Sequence, residues 1–566
     1  MKQFLHRTAK LLIQHRIAIF LWLIIAIVIF TNTFHEKYPD EFDNILGGQY
    51  LSEGQMLYRD YFTHHGPVPY FIAALLMPFS LGSFVLFRIA YATFLFFFFL
   101  FSYLFLRRVL DEKYARLYPL LVLAISVSST YFWGHMLLAD SFAAIVLLPA
   151  YFILLSHVYA RRTLSRSMHL FLAISFGFAL LSSMSYLFMI LCIYIVIFCL
   201  VYRSPKQYLR HILIYLAPYL VFFILLLLTN SLSDWCRQTI QFNAQFYIYN
   251  YPRTPGSNFI NPLRYAIVIA QNFFENIHPV LTNISRVDFF YPFNTALAYG
   301  NLLFFAILLY QRKYLLGFLL FSTLIFANAR SNPLTSQERD YQAAMYITLS
   351  FTHTFFGLFL SQRLFSKLSD YFPKVILTVI LVPTIILWFF NGLFITRKWF
   401  DRVYERYMGL TPLIYDRPQL APIINATIKP NEYMWIGPFD FEDHFYARGL
   451  SPSKYHILLP GMAQNGMVEE LQADLQRNKP KLIIYDWHLF ILGNAPKDYA
   501  PQFLEYLDQN YIRLLEYREP DGTQYKSVAP IELRRDVEAK MYINPQYKDE
   551  VIADLLRANI IYRTAP

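Results

Sequence analysis

Apolar residues in this chain gather into long blocks separated by short basic or proline-containing breaks. A helix needs about 20 residues to cross the hydrocarbon layer of a bilayer. Eleven blocks approach that length: 17–34, 83–106, 114–132, 137–156, 168–183, 185–202, 211–229, 292–310, 314–329, 343–362 and 374–394. Two long segments of mixed polarity interrupt the series, between Phe34 and Gly82 and between Asn230 and Tyr291. Each contains one shorter apolar run, 67–79 (PVPYFIAALLMPF) and 263–278, which reads as an interfacial or re-entrant helix. After Gly392 the pattern changes. Strand-like runs at Tyr433–Ile436, Leu482–Tyr485 and 511–517, with helix-like runs at 466–478 and 499–510, predict an α/β domain of about 150 residues. The predicted fold class is therefore an all-α polytopic membrane bundle of about eleven transmembrane helices, followed by a C-terminal α/β domain. The bundle covers 1–395 with outside segments 35–82 and 230–291, and the soluble domain covers 396–566.

Composition agrees with lipid as the solvent for most of the chain. Of 566 residues, 56% are hydrophobic and 19% aromatic, only 15% are charged, and the mean hydropathy is +0.35; soluble domains carry about a quarter charged residues. Three cysteines, Cys192, Cys199 and Cys236, are too few for a disulfide framework. A basic flank (Lys2, Arg7, Lys10, Arg16) precedes the apolar run Ile17 to Phe30, and no small-residue cleavage site follows, so this is an uncleaved first membrane helix.

Charge placement sets the sidedness. With the N-terminus inside, the inner loops hold Arg107, Arg108 and Lys113, then Arg161, Arg162 and Arg166, then Arg203, Lys206 and Arg210, and later Arg312, Lys313, Arg363, Lys367 and Lys374. The outer loops hold acids (Asp40, Glu41, Asp43, Glu53, Asp60) or little charge. This is the positive-inside bias. An odd number of spans then puts the C-terminal domain outside the cytoplasm. The formal charge of +11 is accounted for by topology, and nucleic acid is not an expected partner.

The chemistry-bearing residues cluster in the first outer segment, YPDEFDNILGGQYLSEGQMLYRDYFTHHGPVPY, residues 38–70. Pro39 disfavours helix before it, Asp40 is placed to cap a helix, and Glu41 and Asp43 fall in or beside its first turn. The bland reading is three water-facing acids that suit a helix dipole. A second cluster, Arg59, Asp60, His64 and His65, follows directly before the short apolar run. Asp60, His64 and His65 together are a possible divalent-metal site, although adjacent histidines are also common at wet interfaces. Asp140 stands near the outer end of the fourth span, as a helix-start residue or facing a cavity. Arg88, a few residues inside the second span, either snorkels to headgroups or holds a phosphate. Acids and cations at one outer face suit transfer between a lipid-bound anionic donor and a hydroxyl acceptor. A coupled transporter would carry its charges deeper, and spans five to seven lack them. The C-terminal domain has no Gly-rich phosphate loop and no zinc spacing, so acceptor binding or shielding of the outer face are its expected roles. Asn283-Ile284-Ser285 and Asn425-Ala426-Thr427 match the glycosylation pattern.

Asp40-Glu41 after the first span, the helix with Gly47 and Gly54, Tyr58-Arg59-Asp60, and His65-Gly66-Pro67 before a short apolar helix resemble the GT-C class of membrane glycosyltransferases. The bacterial branch related to protein O-mannosyltransferases and aminoarabinose transferases is the most similar. The resemblance covers roughly residues 15–395. It implies a bacterial inner-membrane enzyme that moves a sugar, with inversion, from a polyprenyl-phosphate donor to a hydroxyl acceptor (lipid, glycan or protein) in cell-envelope glycan biosynthesis. It implies Asp40 as general base, with Glu41 shaping the same pocket and Asp140 close by. Relatives carrying Lys-Pro before the short helix contact phosphate there; His65-Gly66-Pro67 replaces it, leaving Arg88, Arg339 and His65 as phosphate-binding candidates. A divalent metal ion is an optional cofactor of such an enzyme. The alternatives are a transporter or flippase of lipid-linked or envelope glycans, and an envelope polysaccharide ligase.

Overall fold

The structure, a computed structural model, describes residues 2–564 apart from 131, 161, 202–204, 248–261, 283–290, 331–340, 367, 369–370, 409–419, 529–531, 535–536 and 539. Among the described residues five helices are long and apolar enough to cross a membrane: Phe84–Val109, Ala139–Ala160, His211–Leu228, Tyr341–Phe365 and Pro373–Phe390. Six shorter apolar helices accompany them. The chain is thus a polytopic α-helical membrane protein with a sheet-containing C-terminal domain. Each of the eleven apolar blocks contains a helix among the described residues; the longest in the 114–132 block is the 12-residue Leu117–Ser128, and one of the six shorter helices, Val68–Ser80, is the run read as interfacial. Four helices carry labels below: α1 (Lys2–Asn32), α2 (Pro39–Ser52), α3 (Val68–Ser80) and α4 (Phe84–Val109).

The fold divides into two compact units, each discontinuous in sequence. The first comprises 1–37, 85–222 and 266–414, and holds the long apolar helices. Its centre is the Ala139–Ala160 helix, buried on every side from Asp140 to Val158. That follows from its sequence, which is apolar around the whole circumference, so no face prefers water. It packs against Arg166–Ser182 and Ala344–Phe365. Buried polar groups here are paired with one another: His353 bonds the Tyr151 hydroxyl at 2.7 Å and Asn301 Oδ1 at 2.8 Å, and Asn301 donates to Ser350 Oγ at 2.9 Å. The Phe304 ring stacks on His353.

The second unit comprises 38–84, 223–265 and 415–566. Its sheet runs in the order Met434–Gly437, Leu482–Tyr485, Lys540–Ile543, Ile512–Arg513, with the first pair parallel and the others antiparallel. The two parallel apolar strands, Met434–Gly437 and Leu482–Tyr485, are fully buried, and Ile424, Ile436, Ile484, Leu514, Val551 and Leu555 belong to the core packed against them. Trp435 is buried too, its indole donating to the Tyr455 carbonyl at 2.7 Å.

Domain organisation differs from the sequence expectation in two respects. The boundary anticipated at 396 falls inside a continuous helix, Tyr371–Tyr407, because no Gly or Pro stands between Leu393 and Tyr407, where the apolar run passes into a charged stretch. The first outer segment also packs with the C-terminal domain. Phe62 N–H donates to the Lys454 carbonyl at 2.8 Å, the Tyr446 hydroxyl bonds Phe84 N–H at 3.3 Å, and Phe42 lies against Phe445.

Candidate functional site

The acidic pair sits in the first turn of α2. Pro39 takes the first helical position, where its missing N–H costs nothing, so Tyr38 is the N-cap and Asp40 lies inside the helix. This corrects the expectation that Asp40 caps it. The helix ends at Ser52, and Gly54 follows with φ +91°. Nor do the acids face water as a group. Asp40 is half-buried, whereas Glu41 is 0% and Asp43 6% exposed.

Asp43 shows how the helix is held. Its Oδ1 accepts the Tyr61 hydroxyl at 2.6 Å and its Oδ2 accepts the Tyr70 hydroxyl at 2.5 Å, and Tyr70 also bonds Thr63 Oγ1 at 2.6 Å. Burial pushes the Asp43 carboxyl up to about 7, opposed by the two tyrosine bonds and reinforced by the charge of Asp40. Close approach of α2 to α3 requires glycine: a Cβ on Gly48 would lie 2.8 Å from the Ala74 nitrogen, and one on Gly47 2.8 Å from Tyr70 Cε1. On the other side His456 stacks on Tyr61, with ring centroids 4.8 Å apart, and meets Tyr50 at the same separation. The acidic pair therefore rides on a helix fixed from two directions.

The second predicted cluster is built differently from expectation. Asp60 turns to Arg59 in a two-point ion pair at 2.9 and 2.7 Å and accepts the Met56 N–H at 2.9 Å. The His64 and His65 rings instead lie against each other at 4.0 Å, with His64 packed near Phe242. Asp60, His64 and His65 do not form the anticipated metal cluster, since the adjacent guanidinium takes both oxygens of the carboxylate. Among the described residues no group of three His, Cys, Asp or Glu side chains is arranged to hold a metal. The turn containing the histidines is itself fixed. Asn243 Nδ2 donates to the His64 carbonyl at 2.8 Å, the Tyr58 hydroxyl to the His65 carbonyl at 3.1 Å, and Gln238 Oε1 accepts the Thr63 N–H at 3.1 Å.

In the first unit, Asp140 opens the buried Ala139–Ala160 helix and is 1% exposed, not a solvated helix-start residue. Its Oδ2 accepts Arg330 Nε at 3.3 Å. Arg88 is likewise 1% exposed and does not snorkel. Its guanidinium donates to the carbonyls of Thr33 at 3.0 Å, His35 at 3.2 Å and Glu36 at 2.9 Å, closing the chain end beyond α1. These carbonyls have no turn of helix ahead to accept from, so a buried cation supplies their donors. Arg339 and Asn283-Ile284-Ser285 lie outside the described residues.

Sequence reasoning did not find Tyr61, Tyr70, His456 or Arg330. The two tyrosines belong to a tyrosine-rich chain in which no single ring stands out, and they reach Asp43 from beyond the end of its helix, while His456 meets Tyr61 and Tyr50 from the C-terminal domain. His353 had a readable signal, a lone ionisable residue inside FTHTFF (351–356).

No protein-family model and no curated protein matches the chain. Among solved structures it is similar to ArnT from Cupriavidus metallidurans in the apo state, with 12% identity, coverage of 95% of this chain and 98% of that one, and a TM-score of 0.45. It is also similar to the same ArnT bound to undecaprenyl phosphate, with 13% identity, coverage of 93% and 97%, and a TM-score of 0.46.

Proposed function

We propose that the protein is a glycosyltransferase that moves a sugar from a polyprenyl-phosphate donor to a hydroxyl acceptor at the outer face of the membrane. The reading takes the N-terminus as cytoplasmic, so that the α2 segment and the C-terminal domain are extracytoplasmic. One observation carries it: a carboxylate pair in the first turn of a helix locked in place by Asp43, the two tyrosines and the Gly47-Gly48 contact. A base must hold its position within a fraction of an ångström to be effective, and such mounting is what a reacting carboxylate requires.

In the proposed step Asp40 accepts the proton of the acceptor hydroxyl as its oxygen attacks C1 of the sugar. The bond from C1 to the phosphate oxygen breaks on the opposite face, giving inversion, and polyprenyl phosphate departs. Glu41 is assigned to shaping the pocket. Charge on the leaving phosphate is assigned to His65. Arg88 is assigned to positioning, since its guanidinium already serves the carbonyls of Thr33, His35 and Glu36. No step is routed through a metal.

The test is Asp40→Asn in purified protein supplied with a polyprenyl-phosphate sugar and a glycan acceptor. Transfer is expected to fall by about 10²–10⁴-fold with unchanged melting. Full activity in the variant would remove Asp40 from the mechanism.

A further inference from the structure

The second unit contains a cleft of about 1100 Å³, at or above the upper end of drug-sized ligand pockets, which run to about 1,000 Å³. One wall is the C-terminal end of α2 and the turn after it, with Tyr50, Glu53, Arg59 and Asp60; the other is the C-terminal domain, with Tyr433, Arg448, Lys454 and Glu470. The volume exceeds what a single sugar ring would fill.

The lining is balanced in charge. Arg59, Arg448, Lys454 and Arg477 are matched by Glu53, Asp60, Glu470 and Asp474. Three of the four cations are engaged by the protein's own carboxylates: Arg59 with Asp60, Lys454 with Asp234 at 2.9 Å, and Arg477 with Asp474. His444, also in the wall, is held neutral by burial, which lowers it to about 4. A polyanion would find no surplus of positive charge here. A hydroxyl-rich neutral ligand would find paired side chains that still offer donors and acceptors, and the half-buried rings of Tyr50 and Tyr433 for its C–H faces.

We infer that this cleft binds a neutral oligosaccharide of several rings, the non-reacting part of the acceptor. The inference rests on the glycosyl-transfer reading for the word acceptor, and on the cleft alone for the carbohydrate. Tyr50 lies ten residues along α2 from Asp40, about 15 Å at the helical rise. A chain of a few sugars held in the cleft would span that length along the helix.

The experiment is calorimetric titration of full-length protein in detergent with a panel of neutral pentasaccharides, α- and β-linked hexoses and N-acetylhexosamines, and with pentagalacturonate. Saturable binding of at least one neutral member is expected, insensitive to added salt. Tyr433→Ala and the exposed Arg448→Ala should each weaken it about tenfold, with melting unchanged. Asp40→Asn should keep the binding while losing transfer, so a failed catalytic assignment would leave the glycan result standing. Absence of binding across the neutral panel overturns the inference. So does tighter, salt-sensitive binding of pentagalacturonate, or an affinity that neither cleft substitution changes.

Discussion

The Tyr70 hydroxyl donates to Asp43 Oδ2 at 2.5 Å, joining α3 to α2 through a carboxyl that is 6% exposed. Burial raises Asp43 to about 7 from an ordinary value of 3.8. An acid whose folded pKa is raised binds its proton more tightly in the native state. Its stabilisation is complete below about pH 4 and is lost as pH rises through about 7, at no more than about 1.4 kcal/mol per pH unit. Melting temperature in detergent should therefore carry a downward component between these limits. Asp43→Asn, which keeps both tyrosine bonds within reach, should flatten that component. An identical profile in the variant would show that Asp43 does not titrate in this range.

Glycine at 48 is required by the backbone of α3, not by its own dihedral angles. An added Cβ would lie 2.8 Å from the Ala74 nitrogen and against Ala73. Neither neighbour is the end of a flexible side chain, so the helices themselves must separate. Gly48→Ala should destabilise the protein by about 1–3 kcal/mol and lower transfer along with it, because the acidic pair rides on the displaced helix. Denaturant midpoints of the variant against wild type measure the first effect. Unchanged stability would mean that α2 and α3 have room to part.

How far the sequence could be read depended on the range of the interaction. Membrane helices announce themselves through local composition, and each apolar block contains a helix; the strands at Met434–Gly437 and Leu482–Tyr485 are legible for the same reason. The Asp40-Glu41 pair was visible because it lies within one turn. Asp43, Tyr61 and Tyr70 form a unit only after α2 and α3 pair, and the joining of residues 38–84 with 415–566 spans most of the chain. Asp60 stands beside both Arg59 and the two histidines in sequence, and proximity alone does not rank these partners; in the fold its carboxylate pairs with Arg59.

Asp140 and Arg330 form an ion pair at 3.3 Å in which the acid is nearly inaccessible. Removing one member of a buried pair leaves a charge without compensation and costs about 3–5 kcal/mol, whereas replacing both is often close to neutral. Arg330→Gln should lower the melting temperature more than the double variant Asp140→Asn with Arg330→Gln does. A double-mutant cycle reads the coupling. Strictly additive effects would show that the two side chains act separately.

Arg88 distinguishes a positioning role from a substrate contact. Its planar guanidinium reaches three carbonyls from one fixed fork, Thr33, His35 and Glu36, and an ammonium at the same place cannot reproduce that geometry. Losing such a donor leaves buried carbonyls unsatisfied at about 1–3 kcal/mol each. Arg88→Lys should therefore lower stability nearly as much as Arg88→Gln. Its effect on transfer should track the folded fraction and leave KM for the donor unchanged. If Arg88 instead binds the donor phosphate, the lysine variant would retain a cation for that purpose. It would then melt normally, and the glutamine variant would raise KM for the donor at unaltered stability. The two patterns separate in one set of melting curves and donor titrations.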